Sequence, residues 1–294
     1  MSISSKVIET VFRMRGAAQP ISTEKFYRKL RKSAVAYRKG EKAKGCTHGV
    51  KRECGVYCGM RYLAFTPKQV DASSLVMYLH GSGYMNSHHA FQERFAASIA
   101  KNTHLRVFFP IYPKLPASTA VASIAVLNNF YSFLLKQGDV ILAGDSSGAA
   151  LCLSLAAERK EAHTVAAISP WLRLDLDERA EKMCATDVVL PFDTLRCTAK
   201  LWAKDLPFSA VKVSPMYGDF SGKNILLFAA EKELFCPYAR EFYERKLAEG
   251  ANVRYVEGKG QQHDYPLMPT PEGRAARSLL YQAIWEAVYQ RGVK

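Results

Sequence analysis

One serine stands in a setting typical of a nucleophile. Gly144-Asp-Ser-Ser-Gly148 is a Gly-x-Ser-x-Gly motif that follows the apolar run 140–143 and precedes an apolar segment predicting a helix over 147–160. A strand, a sharp turn and a helix in this order expose the serine hydroxyl at the end of a sheet. The positive end of the helix also favours developing negative charge. We therefore predict that Ser146 is a nucleophile; the alternative is a plain strand–helix turn with a capping serine.

A second motif could stabilise the negative charge that nucleophilic attack creates. His80-Gly-Ser-Gly-Tyr84 directly follows the apolar run 75–79. Small residues leave backbone N–H groups free to face a substrate oxygen, and losing one such donor costs about 3–4 kcal/mol of transition-state stabilisation. The motif predicts an oxyanion loop, and the alternative is an ordinary glycine loop.

The elements around these motifs alternate between apolar runs and helical patterns. Continuous apolar runs, each followed by a helix, are typical of a parallel sheet covered on both faces. The predicted strands are 75–79, 105–109, 140–143, 164–168, 225–229 and 253–256. The predicted helices are 90–101, 118–136, 147–160, 237–249 and 272–289. The fold class is therefore α/β, with a mostly parallel central sheet.

Three segments depart from this alternation. Residues 1–50 have a helical pattern, 53–65 predict a hairpin or edge strand, and 172–212 interrupt the rhythm between two strands. Insertions after the carboxyl end of a strand lie over the ligand face of such a sheet. We expect 1–50 and 172–212 to form a helical cap, and 51–171 with 213–294 to form the catalytic domain.

The motifs together resemble the hormone-sensitive-lipase-like esterases, an α/β-hydrolase family whose members carry an HGGG loop and a GDSAG elbow. The resemblance covers roughly residues 70–290 and includes 112–116 (YPKLP), 169–175 (SPWLRLD) and 214–219 (SPMYGD). It implies an α/β-hydrolase fold with a variable cap. This chain departs from the pattern at two positions, with serine at 82 and at 147.

The resemblance also implies roles for individual residues of the oxyanion loop. The N–H donors map to Ser82, Gly83 and Ser147, with His80 and Gly81 supporting the loop. Both departures from the family pattern are small residues that keep their N–H groups. The implied oxyanion hole is therefore intact.

The general base and its acid follow from the chain order Ser, acid, His that this fold uses. His263 lies in the loop after 253–256, where the family places its catalytic histidine. Glu233 falls on the family's acid position, 30 residues earlier, and would orient the imidazole. Glu231 is the rival acid, because an alignment error of two residues would exchange them. Asp145 and Asp264 are expected to point away from this relay and to make structural hydrogen bonds.

The substrate pocket is predicted from apolar and aromatic residues near the active loops or in the cap. Core packing is the alternative interpretation for each of them. The candidates are Tyr84, Met85, Trp171, Trp202, Tyr217 and Phe235. Such a pocket favours short acyl or aryl esters over long acyl chains.

The formal net charge of +14 is concentrated at one end of the chain. Residues 1–70 hold 16 basic and 4 acidic side chains, whereas 71–294 hold 25 and 23. No nucleic-acid recognition motif accompanies this charge, so nucleic-acid binding is not expected. The basic excess is interpreted as a solvated face of the cap, with an electropositive lid as the alternative. Membrane docking through it is left open but not favoured.

The cysteines and the absence of targeting patterns restrict the metal content and the compartment that we expect for this protein. Seven cysteines leave at least one thiol free, which favours a reducing compartment. The group Cys46, His48, Cys54 and Cys58 lacks the spacing of a zinc site, so no metal is expected. We find neither a signal peptide nor an apolar membrane span and expect a cytoplasmic protein.

The functional prediction is a serine carboxylesterase that forms an acyl-enzyme on Ser146, with His263 as base and Glu233 as acid. It needs no cofactor, and its expected partner is a small-molecule ester; a homodimer is left open. One alternative is a non-catalytic small-ligand receptor on the same fold, which the complete set of catalytic residues argues against. Another is a lipase acting at a membrane surface.

Overall fold

An eight-stranded sheet organises the computed structural model, which describes residues 1–39, 47, 49–71 and 73–289. The strands are β1 (Lys51–Tyr57), β2 (Met60–Thr66), β3 (Ser74–Leu79), β4 (Arg106–Pro110), β5 (Asp139–Asp145), β6 (Thr164–Ile168), β7 (Asn224–Ala230) and β8 (Asn252–Gly258). The six strands predicted from apolar runs are all present. The predicted edge hairpin is the antiparallel pair β1 and β2.

The strands lie in the order β1-β2-β4-β3-β5-β6-β7-β8. From β4 to β8 all neighbours are parallel, whereas β2 pairs antiparallel with both β1 and β4. The carboxyl ends of β3, β5, β7 and β8 therefore meet at one edge of the sheet. This is where open α/β sheets bind their ligands.

Helices cover both faces of the sheet. They are α1 (Ile3–Arg15), α2 (Thr23–Lys39), α3 (Ala90–Thr103), α4 (Ala120–Leu135), α5 (Ser146–Glu158), α6 (Glu178–Met183), α7 (Phe192–Ala203), α8 (Cys236–Ala248) and α9 (Pro271–Tyr289). Helices α3 and α9 contribute to the apolar core on one face. Helices α4, α5 and α8 contribute to the core on the other.

Alternation along the central strands explains why two cores form. In β3, Val76 and Tyr78 belong to the core beneath α3 and α9, whereas Leu75, Met77 and Leu79 belong to the opposite one. Successive side chains of a strand point to opposite faces, so a strand buried on both sides must be apolar throughout. The prediction of an α/β fold with a mostly parallel sheet is confirmed.

Four helices lie in the two segments that we predicted to form a cap. Helices α1 and α2 fall within 1–50, and α6 and α7 fall within 172–212. Phe26 and Leu30 of α2 and Leu195 and Trp202 of α7 are buried in the same apolar core as α5. Helices α2 and α7 are thus packed onto the body rather than held by their connections alone.

None of the helices in the described part of the chain is long and apolar enough to cross a membrane.

Candidate active site

Ser146 occupies the sharp turn between β5 and α5. Its φ is +53°, in the left-handed region that non-glycine residues rarely adopt. The end of β3 passes close beneath this turn: a Cβ atom at position 144 would lie 2.6 Å from the Leu79 carbonyl oxygen, and one at 148 would overlap that oxygen. Both motif glycines are therefore required by close backbone approach, and the turn holds the serine at the edge of the sheet.

The loop after β3 lies against this turn. A Cβ atom on Gly81 would come within 2.9 Å of the Ser146 Cβ atom. Gly83 adopts a φ of +55°, which lets the chain turn beside the serine. The Gln92 side chain of α3 donates to the Gly81 carbonyl at 2.9 Å and so anchors the loop from the opposite side.

The two serines that depart from the family pattern contact each other. The Ser82 N–H donates to Ser147 Oγ at 3.0 Å, so this predicted donor already has an acceptor at the start of α5. The Tyr112 hydroxyl donates to the His80 carbonyl at 2.7 Å and lies 3.3 Å from Ser82 Oγ. The Ser147 hydroxyl thus fastens the loop to the start of α5, an interaction that alanine at this position could not make.

His263 and Glu233 are joined directly. His263 Nδ1 lies 2.6 Å from Glu233 Oε2, and both side chains are buried. The other carboxylate oxygen of Glu233 accepts from the Ala230 N–H at 2.9 Å, which fixes the carboxylate at the end of β7. The rival acid Glu231 instead accepts from the Gly260 N–H at 2.6 Å. Glu231 therefore holds the start of the His263 loop, and Glu233 contacts the imidazole.

Asp264 departs from expectation. We expected structural hydrogen bonds that would turn it away from the relay. Its Oδ2 instead lies 3.3 Å from His263 Nε2, and its buried Oδ1 has no hydrogen-bond partner among the described residues. The cause is the backbone, because Asp264 has a φ of +58° and its N–H donates to Ser169 Oγ at 3.2 Å. This left-handed turn points the carboxylate back toward the imidazole.

The neighbouring Asp145 follows the expectation. It is fully buried and accepts hydrogen bonds from the Tyr78 hydroxyl at 2.5 Å and the Gln92 amide at 2.6 Å. Burial raises the pKa of Asp145, although these hydrogen bonds oppose the rise. Its role is to tie β5 to β3 and α3 beneath Ser146.

Asp187 is a buried carboxylate that the sequence did not single out. Oδ1 accepts from the N–H groups of Val189 and Leu190, at 2.7 and 2.9 Å, and Oδ2 accepts from the Leu234 N–H at 2.8 Å. Burial raises its pKa to about 6 against these hydrogen bonds. Asp187 thereby joins the loop before α7 to Leu234, the residue after Glu233. No motif marks it, since its partners are backbone groups brought together by the fold.

Three carboxylates therefore surround one imidazole. Burial by itself would lower the pKa of His263, but Asp264, Glu233 and Asp187 together outweigh burial and raise that pKa to about 9. The Phe235 ring packs edge-on against the imidazole at 5.5 Å between centroids. No hydrogen bond joins His263 to Ser146 among the described residues, and Nε2 faces Asp264 instead.

A cavity of about 850 Å³ opens over these groups. Its lining includes Ser146, His263 and Asp264, together with 81–83 from the oxyanion loop. The other side is lined by apolar and basic side chains from the two segments that we predicted to form a cap, which are Phe12, Arg15, Lys29, Leu190 and Leu195. The cap residues were not predicted individually, because only the fold brings α1, α2 and α7 to this mouth.

Of the six predicted pocket residues, Met85 lines this cavity and the other five do not. Tyr84 stacks on Trp202 at 4.2 Å and on Trp171 at 5.4 Å between ring centroids. Phe235 continues this stack, and the half-buried Tyr217 lies under the guanidinium of Arg245. Stacked aromatic rings contribute more to stability by packing with one another than by facing water. For these five residues, core packing is therefore the correct interpretation rather than lining of the substrate pocket.

Within the described ranges, no group of three or more His, Cys, Asp or Glu side chains could hold a metal ion. Cys46 and His48 of the weighed zinc cluster lie outside the described residues. The six described cysteines are unpaired: Cys54, Cys58, Cys152, Cys184, Cys197 and Cys236.

The chain is similar in sequence to known hydrolases. The chain is 28% identical over 202 residues to an esterase of Acinetobacter venetianus, an alignment that covers 63% of this chain and 65% of the relative, just under two thirds of its length. It is 26% identical over 225 residues to an acetyl-hydrolase of Streptomyces hygroscopicus, covering 71% of this chain and 74% of the relative.

A solved structure titled as a hormone-sensitive lipase from a metagenome library superposes with a TM-score of 0.80, at 19% identity, over 99% of this chain and all of the other. At that identity the superposition shows a shared fold. The profile of the alpha/beta hydrolase fold matches residues 76–267, well over half of the chain. The resemblance predicted from the HGGG-like and GDSAG-like motifs is confirmed, and the chain belongs to the alpha/beta hydrolase family.

Proposed function

We propose that this protein is a serine carboxylesterase that hydrolyses esters of short acyl groups through an acyl-enzyme on Ser146. His263 acts as the general base, Glu233 orients it, and the N–H groups of Gly83 and Ser147 stabilise the oxyanion. The names of the relatives, esterase and acetyl-hydrolase, support a carboxylic ester with a small acyl group. Aryl esters have less support, because five of the six predicted aromatic and apolar pocket residues pack away from the cavity.

The observation that carries the proposal is the contact of 2.6 Å between His263 Nδ1 and Glu233 Oε2, at the edge of the sheet where Ser146 stands on its tight turn. A carboxylate on Nδ1 keeps the proton of the neutral imidazole on that nitrogen, and this is the tautomer whose Nε2 can accept a proton from serine once it turns from Asp264. The cavity lining joins His263, Ser146 and the oxyanion loop in one space. The three functions that acyl transfer needs therefore meet there.

The reaction follows from these positions. Ser146 Oγ attacks the ester carbonyl carbon as its proton passes to His263 Nε2, and the carbonyl oxygen becomes an oxyanion. The tetrahedral intermediate expels the alcohol, whose oxygen takes the proton from Nε2. Water then attacks the acyl-enzyme as one of its protons passes to the same nitrogen, and the second tetrahedral intermediate expels Ser146 Oγ, which takes that proton back from Nε2 as the carboxylic acid leaves. For each attack Nε2 must turn from Asp264 to the reacting oxygen, and such bonds commonly tighten when substrate binds.

The test is hydrolysis of p-nitrophenyl acetate and butyrate by wild type and Ser146→Ala. We expect kcat to fall by at least about 10⁴-fold in this variant, since removing the nucleophile leaves only binding and oxyanion stabilisation. Ser154→Ala is the matched control: this serine is also buried in α5, but its hydroxyl bonds to the carbonyls of Val211 and Lys212. Equal turnover by wild type and Ser146→Ala would contradict the proposal. Ester binding without turnover would favour the receptor alternative.

A further inference from the structure

Helix α1 carries a row of exposed apolar side chains. Ile3, Val7, Val11 and Met14 are 82%, 56%, 39% and 82% exposed. At about 100° per residue, these four positions fall within an arc of about 80° on one side of the helix. We refer to these four residues as the outer face of α1. Scattered single apolar residues are normal on a protein surface, but an aligned row of four on one helix needs an explanation.

The opposite side of α1 is what attaches the helix to the body. Ser5 Oγ donates to Gln261 Oε1 at 3.1 Å, and Lys232 Nζ donates to Glu9 Oε2 at 2.7 Å. Phe12 lines the cavity over Ser146. The outer face is therefore not needed to hold the helix in place, and packing among the described residues does not explain its apolar character.

Positive charge borders the outer face. Lys6, Arg13 and Arg15 of α1 are exposed, and the helix wheel places them on the two flanks of the apolar arc. The next helix along the chain, α2, exposes five more basic side chains against one acidic side chain, Glu24; the basic ones are Lys25, Arg28, Lys29, Arg31 and Lys32. The only acidic side chain of α1, Glu9, points inward to Lys232. A surface that covers this face must accept apolar groups at its centre and supply negative charge around them.

We propose that the outer face of α1 binds an anionic lipid surface, with its apolar row among the acyl chains and its basic flanks at the headgroups. An amphipathic helix with a basic polar side and an exposed apolar row binds in the membrane interface in this way. A second copy of this chain is a poor occupant, because a symmetric contact would bring the same basic flanks together. We interpreted the N-terminal excess of basic residues as a solvated face from the sequence. In this proposal, those of its basic residues that flank the outer face contact anionic lipid headgroups.

This placement has a consequence for substrate entry. Phe12 and Arg15 line the cavity, so the helix that meets the lipid also forms part of the cavity mouth. Esters dissolved in the bilayer would reach Ser146 without crossing bulk water. This consequence rests on the proposed esterase function, whereas lipid binding itself does not.

The experiment measures co-sedimentation of the full chain with vesicles of phosphatidylcholine alone or with 30% phosphatidylglycerol. The test variant is Ile3→Gln/Val7→Gln/Met14→Gln. The matched control removes three exposed apolar side chains elsewhere, Val56→Gln/Val121→Gln/Trp285→Gln, which are 66%, 49% and 45% exposed. Ser146→Ala is included so that lipid binding is measured independently of catalysis, and hydrolysis of soluble p-nitrophenyl acetate shows that each other variant is folded.

We expect wild type and Ser146→Ala to bind the anionic vesicles equally, and the neutral vesicles at least tenfold more weakly, because each basic residue near an anionic surface contributes about 1 kcal/mol. The test variant should lose at least tenfold in partitioning while keeping its activity on the soluble ester, and the control variant should bind as wild type. The proposal is overturned if wild type does not bind, if both triple variants bind equally, or if the outer face instead mediates self-association that the test variant abolishes.

Discussion

The carboxylate of Asp264 should control the pH at which His263 becomes a base. Asp264→Asn keeps the shape of the side chain and removes the charge that lies 3.3 Å from His263 Nε2. Among the groups that raise the pKa of His263, Asp264 makes the largest single charge interaction, while Glu233 contributes both a hydrogen bond and a charge. Only the neutral imidazole can accept the proton of Ser146, so a raised pKa costs activity at neutral pH.

The size of the effect follows from the raised pKa. The pKa of His263 is about 9, whereas its ordinary value is 6.5. This difference in pKa corresponds to about 3 kcal/mol. Two unit charges 3.3 Å apart interact by about 1.3 kcal/mol even at the dielectric constant of water, so removing the Asp264 charge should lower the pKa of His263 by about one. The neutral fraction at pH 7 then increases from about 1% to about 10%, and kcat/KM increases about tenfold. Above the pKa, both enzymes should reach a similar plateau.

The assay is kcat/KM for p-nitrophenyl acetate between pH 6 and 9.5, corrected for spontaneous hydrolysis. The acid limb of the profile should move to lower pH in Asp264→Asn and stay in place in Asp219→Asn, which removes an exposed aspartate far from the imidazole. A limb that does not move, with unchanged activity at pH 7, would refute the electrostatic role given to Asp264. A general loss of activity at every pH would mean that the carboxylate positions the loop instead.

Three further changes test the geometry. Glu233→Gln should lower kcat by about 10³–10⁴-fold because the amide does not fix the correct imidazole tautomer, whereas Glu231→Gln should stay within a few-fold; equal losses in steady-state assays would contradict the assignment. Gly148→Ala places a Cβ atom on the Leu79 carbonyl oxygen and should cost at least about 3 kcal/mol in urea denaturation, so an unchanged midpoint would count against the tight turn. Asp187→Ala leaves three N–H groups without their acceptor, one of them buried, and thermal unfolding should reveal a loss of at least about 2 kcal/mol in the free energy of unfolding; a variant as stable as wild type would show that the loop before α7 does not depend on this carboxylate.

Local patterns were sufficient for the fold. Continuous apolar runs predicted β3 to β8, because a strand covered on both faces must be apolar at every position. The Gly-x-Ser-x-Gly motif equally predicted the tight turn between β5 and α5, since close backbone contact at both glycines admits no larger residue. These features depend on residues that are close in sequence, or only on whether a side chain is buried. The predicted boundaries differ from the structural ones by only one or two residues at most strand ends.

The details of the site were decided by tertiary structure. Whether Glu231 or Glu233 reaches the imidazole depends on how the chain turns after β7, and the two residues are only two positions apart. Asp264 faces His263 because of a left-handed backbone turn that the residue types in this loop do not predict. Tyr84 could not be distinguished from a pocket residue until its stacking on Trp202 was known.

The sequence by itself therefore determined the α/β architecture and the tight turn that carries Ser146, because each is encoded in short-range periodicity or in a contiguous motif. Only the tertiary structure decided which carboxylates surround His263, which aromatic rings leave the cavity, and which side of α1 is exposed. These properties are set by the direction of side chains across elements distant in sequence. Such directions follow from packing against partners that the periodicity of a single segment does not identify.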